Sequence, residues 1–225
     1  METMTSRTYG QFCGLAHSME LVGERWALLV VRDLIPGPKR FTDLRNGLPR
    51  IPTNILSARL KELESSGVVQ RRLLPRPQAS VVYELTDYGR ELEDVVLRLG
   101  LWGARSLGWP RPDDIVTTDS LIMALRSTFQ WEAARGLQLG YELHVGEVVI
   151  HARIDDGALE VAQGPLAGAD LVVETGPELR ALLAREISPG EAIADGTVRL
   201  TGDADLLARF VEVFRIPPAP SALPA

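Results

Sequence analysis

Apolar positions recur at helical spacing through the first half of the chain, whereas the second half shows short apolar runs separated by turn residues. Leu15, Met19 and Val22 fall on one face of a helix over 14–22, which Gly23 breaks. Residues 24–34 predict a more apolar helix carrying Trp26, Leu28, Leu29, Val30, Val31 and Leu34. It is too short to cross a membrane, so it is expected at the buried centre of a module. Pro36-Gly37-Pro38 ends it. Thr42 then caps a short helix over 43–46 that Gly47 stops, and Leu48-Pro49-Arg50 turns the chain. Ile51-Pro52-Thr53 opens a longer helix that runs to Ser66 and stops at Gly67, with proline at its entry and glycine at its exit.

Residues 68–74 and 80–85, rich in Val, Leu and Tyr, predict a hairpin joined through Pro75-Arg76-Pro77-Gln78-Ala79. Thr86 caps a long helix that continues to about Leu107, with Leu92, Val95, Val96, Leu99 and Trp102 at helical spacing. A short helix, a turn, a longer helix and a hairpin make a winged helix-turn-helix. In that arrangement the second helix can enter a DNA major groove.

Gly108-Trp109-Pro110-Arg111-Pro112 then marks a domain boundary. Beyond it, 120–137 predicts a helix. Residues 141–145, 148–154, 159–163 and 171–174 predict strands, with turns at Gly146 and Asp156-Gly157. Gly176-Pro177-Glu178 opens a helix, and Ser188-Pro189-Gly190-Glu191 opens another with a capping box. A strand over 198–201 and a last helix from an Asp203 cap through Arg215 complete the pattern. The expected fold is a mainly α winged helix-turn-helix domain over 1–110 and an α+β domain over 111–216. A Pro-rich tail over 217–225 is expected to be disordered.

Composition fits this picture: 225 residues, 45% hydrophobic and 24% charged, are those of a globular chain. Residues 1–11 are polar and lack the apolar core of a secretion signal. The one cysteine, Cys13, has no internal disulfide partner. A cytoplasmic protein without membrane association is expected. The net charge of −6 argues at first against nucleic acid, but it is unevenly spread. Residues 1–112 hold 16 Lys/Arg and 12 Asp/Glu, a balance of +4; residues 113–225 hold 8 and 18, a balance of −10. Within 39–76 the balance is +6, from nine basic against three acidic residues. Phosphate binding depends on local potential, because salt screens charges beyond about 10 Å.

Projected at 100° per residue, Leu56, Leu60 and Leu63 of the longer helix form one stripe, with Ile55 at its edge. Asn54, Ser57, Ala58, Lys61 and Ser65 lie opposite. Small and amide side chains there allow close approach to base edges: Asn pairs with adenine, Ser with either partner type. Thr53 and Asn54 occupy the first turn, and Arg50 just before it reaches guanine or phosphate. Arg59 lies nearer the apolar stripe and is expected as a flanking phosphate contact. Arg71, Arg72 and Arg76 add charge to the hairpin, and Arg76 at its tip suits a place in or beside the minor groove. The bland alternative throughout is a solvated helix face and an ordinary loop arginine.

The run from Cys13 to Trp26, Arg40-Phe-Thr-Asp-Leu44, residues 55–64 and Tyr83-Glu-Leu-Thr-Asp-Tyr-Gly89 together resemble the HxlR-type winged helix-turn-helix regulators. The resemblance covers roughly residues 9–107. It implies a homodimer, built largely from the N-terminal and post-wing helices, that binds a double-stranded DNA operator and controls transcription. A two-fold dimer spaces its reading helices by about 34 Å or a multiple, so the operator should be an inverted repeat. The resemblance also puts Cys13 where some members carry a redox sensor. With no resolving cysteine, an inter-subunit disulfide, a mixed disulfide or alkylation would remain. An inert packed thiol is the alternative.

Residues 115–215, above all Ser188-Pro-Gly-Glu-Ala-Ile-Ala194 and Gly196-Thr-Val-Arg-Leu-Thr-Gly-Asp203, resemble sterol carrier protein type two (SCP-2-like) domains. That likeness implies a helix-covered sheet, often with an apolar tunnel for lipid-like ligands. Phe129, Trp131, Leu143, Val145, Leu183, Phe210 and Phe214 are the candidates to meet an apolar small-molecule effector, and most must also serve as core. His17, His144 and His151 show no metal-ligand spacing. The odd separation of His144 and His151 would place them on opposite faces of one continuous strand, although a turn is expected between them. No nucleophile–base pair or phosphate-binding glycine loop stands out, and neither a cofactor nor enzymatic activity is expected. The leading expectation is a ligand-responsive DNA-binding regulator. A small-molecule or lipid-binding protein whose helical half only dimerises is the main alternative, and an enzyme with a buried site in the second half is the other.

Overall fold

A computed structural model describes residues 8–75, 77, 79–111 and 113–218. Arg76 and the last seven residues of the expected tail lie outside them. The chain divides into two compact units, 1–96 and 97–225.

In the first unit, α1 (Gly14–Val22) and α2 (Ala27–Leu34) are followed by α3 (Phe41–Gly47) and α4 (Thr53–Ser65). A two-stranded antiparallel hairpin comes next, β1 (Val69–Leu73) and β2 (Val81–Leu85), then the short α5 (Asp87–Arg90). α2 starts three residues later than its apolar pattern suggests. Trp26 takes a left-handed conformation (φ 79°), so the chain turns through 24–26 before helical dihedrals begin. Ala27, Val30, Val31 and Leu34 of α2 are buried, whereas Leu29 faces outward at 39% exposure. α2 packs on α4, whose Leu56, Leu60 and Leu63 are buried as the stripe requires. The expected Thr42 cap of α3 is corrected: the helix begins at Phe41, and Asp43 Oδ2 accepts the Arg40 backbone N–H at 2.9 Å.

The expected continuous helix over 86–107 is broken. Thr86 caps α5 as anticipated, its Oγ1 accepting the Gly89 N–H at 3.0 Å and donating to the Gly67 carbonyl at 2.6 Å. Gly89 then sits so close to the wing that a Cβ would lie 2.0 Å from the Val68 carbonyl oxygen. That approach fixes α5 against the base of the hairpin, and a turn at 91–92 redirects the chain into α6 (Glu93–Ala104). The compact units divide inside α6, between Val96 and Leu97, rather than at the Pro/Gly-rich segment near residue 110. The apolar end of α6 contributes Ala104 to the core of the second unit, which is why contacts and composition divide the chain at different places.

The second unit contains α7 (Thr118–Thr128), α8 (Leu179–Leu183), α9 (Pro189–Ala194) and α10 (Asp205–Val213). Its sheet has five strands: β3 (Gln138–Val145), β4 (Val148–Asp155), β5 (Ala158–Gln163), β6 (Leu171–Thr175) and β7 (Arg199–Gly202). Their order is β5-β4-β3-β6-β7, with β3 and β6 parallel and the other neighbours antiparallel. The helix expected to reach Leu137 stops at Thr128. Phe129 leaves it to bridge Phe214, with Gln130 N–H donating to the Val213 carbonyl at 2.7 Å. The capping box at Ser188 and Glu191 forms as its spacing predicts. Gly202 (φ 117°) passes so near Asp170 that a Cβ would stand 2.5 Å from its carbonyl, which accounts for a glycine at the end of the Val-x-Leu-x-Gly run.

One face of this sheet is dry. Tyr141, Leu143, Ile150, Ala152, Leu171 and Val173 are fully buried against the helices, and Phe210 of the last helix and Phe214 just after it share that core. The other face is polar. The β3–β4 register pairs Glu142 with His151 and His144 with Val149, so both histidines share that face. The turn expected between them lies at 146–147 and restores the parity that one continuous strand would have denied them.

Candidate nucleic-acid interface

α4 is held from behind by its three buried leucines, which leaves its opposite arc to solvent. Thr53, Asn54, Ser57 and Lys61 are exposed, and Ala58 is half-buried beside them. Pro52 at the N-cap fixes the entry, and a proline cannot donate a backbone hydrogen bond that the cap would leave unused. Ser57 Oγ donates to the Thr53 carbonyl at 3.0 Å, which orients the hydroxyl while leaving it able to accept. Arg50 is exposed in the turn that precedes the helix. The structure therefore brings Arg50, Thr53, Asn54, Ser57, Ala58 and Lys61 together on one surface.

Arg59 is placed elsewhere. Its guanidinium Nη1 is paired with Glu62 on the next turn and lies 3.7 Å from Glu24 Oε2, and the side chain is only 14% exposed. Its charge is engaged within the protein, on the flank of α4 rather than on the polar arc. Arg76 lies outside the described residues. On β1, Arg71 Nε lies 2.9 Å from Glu64 Oε1 of α4, and Arg72 binds both carboxylate oxygens of Glu84. These acidic partners escaped the sequence reading. Charge counting sees nine cations between 39 and 76, but only the hairpin register, with Gln70 opposite Glu84, puts Arg72 diagonally within reach of that carboxylate.

Two apolar surfaces accompany this face. No residue of α6 is buried, and Val95, Leu99 and Trp102 are exposed. On and before α1, Phe12, Leu15 and Met19 are exposed as well. Cys13 stands at the N-cap of α1 and is exposed. Backbone N–H groups of Ala16 and then Leu15 hold its thiol below the usual range.

In the second unit, Leu143, Val145, Leu183, Phe210 and Phe214 share one core with half-buried Phe129 packed against it. Ring centroids are 4.7 Å apart for Phe210 and Phe214, 5.1 Å for Tyr141 and Phe210, and 5.8 Å for Phe129 and Phe214. Trp131 is not among them. It is 49% exposed in the turn after α7, with the Arg135 guanidinium 4.2 Å from its ring centroid. On the polar sheet face, Glu142 accepts from the Leu166 N–H and hydrogen bonds His144 Nε2, both at 2.6 Å, and His151 Nδ1 donates to the Gly164 carbonyl at 2.9 Å. Among the described residues no group of three His, Cys, Asp or Glu side chains is arranged to hold a metal ion. No helix among them is long and apolar enough to cross a membrane.

Residues 21–109 match the family model described as HxlR-like helix-turn-helix. The HTH-type transcriptional regulator YodB of Bacillus subtilis (strain 168) is 38% identical over 85 residues, 38% of this chain and 76% of that regulator. YdeP of the same organism, also described as an HTH-type transcriptional regulator, is 34% identical over 93 residues, 41% of this chain and 73% of YdeP. The solved reduced form of YodB is 33% identical and aligns with 45% of this chain and all of that one, at a TM-score of 0.38.

Proposed function

We propose, from the premise that this chain belongs to the HxlR-like helix-turn-helix family and is a DNA-binding transcriptional regulator, that it works as a homodimer on an inverted-repeat operator. The observation that carries this reading is α4: a helix anchored by three buried leucines, with Thr53, Asn54, Ser57 and Lys61 exposed on the opposite arc. Asn54 and Thr53 read base edges in the major groove, Ser57 and Ala58 permit the close approach, and Arg50 and Lys61 grip phosphate or guanine. Arg76, which lies outside the described residues, is proposed from the sequence alone as a further DNA contact. The apolar residues left exposed on α1 and α6 supply the dimer surface, since Val95, Leu99 and Trp102 in water are an unspent driving force. Arg59 serves that scaffold through its acid pairs, at most flanking the duplex.

Two further readings concern control. Exposure and a lowered thiol pKa favour Cys13 as a reactive group over an inert packed one. With one cysteine in the chain, oxidation ends in an inter-subunit or mixed disulfide, and electrophiles alkylate it. If Cys13→Ser leaves loss of operator binding under an electrophile unchanged, this role is wrong. In the second unit, an SCP-2-like α+β fold would admit an apolar effector beside Phe129, Leu143, Val145, Leu183, Phe210 and Phe214. The rings are in close contact, so entry requires Phe210 and Phe214 to separate, and the effector acts only if DNA-competent and incompetent states differ in affinity for it. Trp131 reports such binding from outside the core, by a change in its fluorescence.

The test of the central reading is a mobility shift with DNA from the upstream region of the protein's own gene, across a range of salt. We expect tight salt-dependent binding, and Lys61→Ala to weaken it on every sequence and reduce the salt slope by about 1. A protein that binds no duplex in low salt overturns the reading. It would favour the lipid-binding or enzymatic alternatives, which turnover assays then separate.

A further inference from the structure

The wing carries two neighbouring arginines that are restrained in different ways. Arg72 Nε lies 3.0 and 2.9 Å from the two carboxylate oxygens of Glu84, and its Nη2 is 2.9 Å from Oε2. Gln70 Nε2 donates to the same carboxylate at 3.0 Å. Glu84 is 8% exposed, and the guanidinium beside it, helped by Gln70, holds its carboxyl below the usual range despite that burial. The neighbouring Arg71 meets Glu64 through one contact; the two arginines are similarly exposed, 55% and 48%, and the pairs differ in their carboxylates, 33% exposed for Glu64 and 11% for Glu84.

The two pairs should respond differently to a duplex. An exposed ion pair is worth little, so Arg71 can exchange Glu64 for a phosphate at small cost. Arg72 is half exposed, but drawing it away would leave the largely buried Glu84 carboxylate with only the Gln70 amide and the field of Arg90, a larger loss than Glu64 would suffer. Resting on the DNA-binding reading above, we infer that Glu84 is a positioning residue for DNA recognition. It keeps Arg72 as its own counter-ion, withholds that guanidinium from the sequence-blind grip on phosphates, and so limits the electrostatic share of affinity. The wing then grips less than its charge suggests, and discrimination falls more heavily on α4.

The test is a salt titration of binding to a short duplex of arbitrary sequence, using the full chain unaltered and as Glu84→Gln, Arg72→Gln and the double variant. Each neutralised phosphate contributes about 0.9 to the slope of log affinity against log salt. We expect Glu84→Gln to bind more tightly and to steepen the slope by about 0.9, so that its advantage is about 3.5-fold larger at 50 mM than at 200 mM salt. Arg72→Gln should leave the slope as in the unaltered protein, and the double variant should return to it, which separates release of Arg72 from the mere loss of a negative charge. A slope lowered by about 0.9 in Arg72→Gln alone would mean that Arg72 already holds a phosphate, and the inference fails while the DNA reading stands. That arm decides the matter even if Glu84→Gln does not fold. No salt-dependent binding by the unaltered protein would instead sink the DNA reading itself.

Discussion

On α4, Thr53, Asn54, Ser57 and Lys61 project from a helix whose other side is sunk into the protein on Leu56, Leu60 and Leu63. On the polar face of the five-stranded sheet, Glu142 is taken up by His144 and the Leu166 N–H, His151 by the Gly164 carbonyl, and Glu174 by Arg199 at 2.9 Å. Both surfaces are polar and both lie over a packed apolar layer. The helix leaves these side chains to solvent, whereas the sheet uses its own to tie down its crossover and edge strand. Polarity of a face is therefore a poor guide to function until its hydrogen bonds are assigned. The wing falls between the two, with a guanidinium on display whose charge is committed to Glu84.

The strongest way to break this comparison is to remove the packing under the second unit. Phe210 is fully buried between Tyr141 and Phe214. We expect Phe210→Ala to cost about 3–5 kcal/mol, read as a fall in the denaturant midpoint of the second unit. Duplex binding through α4 should persist at temperatures where that unit remains folded. If duplex binding disappears while the second unit is still folded, the reading surface is not the self-contained device described for α4. A smaller effect tests the helix itself. Asn54→Ala should lose about 1–3 kcal/mol of discrimination at one base pair of each half-site, measured by competition among single-base operator variants. Equal losses on all sequences would make Asn54 a phosphate contact and bring α4 closer to the wing than to a reader.

Much of this was legible in the chain because local rules were obeyed. α1 has the expected bounds, α4 lies within one residue of them at its end, and the Ser188–Glu191 capping box formed where its spacing placed it. What escaped depended on contacts between elements. The break before α6 follows from Gly89 pressing on the Val68 carbonyl, and a helical stripe through Leu92 and Val95 gives no sign of it. The early end of α7 follows from Phe129 bridging Phe214, far away in sequence. The polar arc of α4 was readable because 100° per residue fixes its members. The Arg59–Glu62 pair obeys the same helical spacing, but the approach of Glu24 to Arg59 and the capture of Arg72 by Glu84 do not show in it, since they are set by tertiary packing and strand register.

The weakest expected effect concerns the sheet face and depends on pH. The hydrogen bond to His144 and then that from Leu166 hold the Glu142 carboxyl below its usual range. Other groups on this face are His151 and Arg153 on β4, Glu160 on β5, Glu174 on β6 and Arg199 on β7. A carboxylate whose folded pKa is depressed stabilises the fold fully above its unfolded pKa of about 4.3, and that contribution is lost as pH falls through the folded value. Glu142→Gln removes the ionisable group but keeps a carbonyl to accept the Leu166 N–H. The variant should therefore be the less stable of the two at neutral pH, and the difference should shrink on acidification below about pH 4.3. Parallel unfolding curves for the two proteins across the acid range would show that Glu142 is indifferent to its own charge. The sheet face would then lose its claim to be the surface whose polar groups are consumed by the fold, and the contrast with α4 would rest on geometry alone.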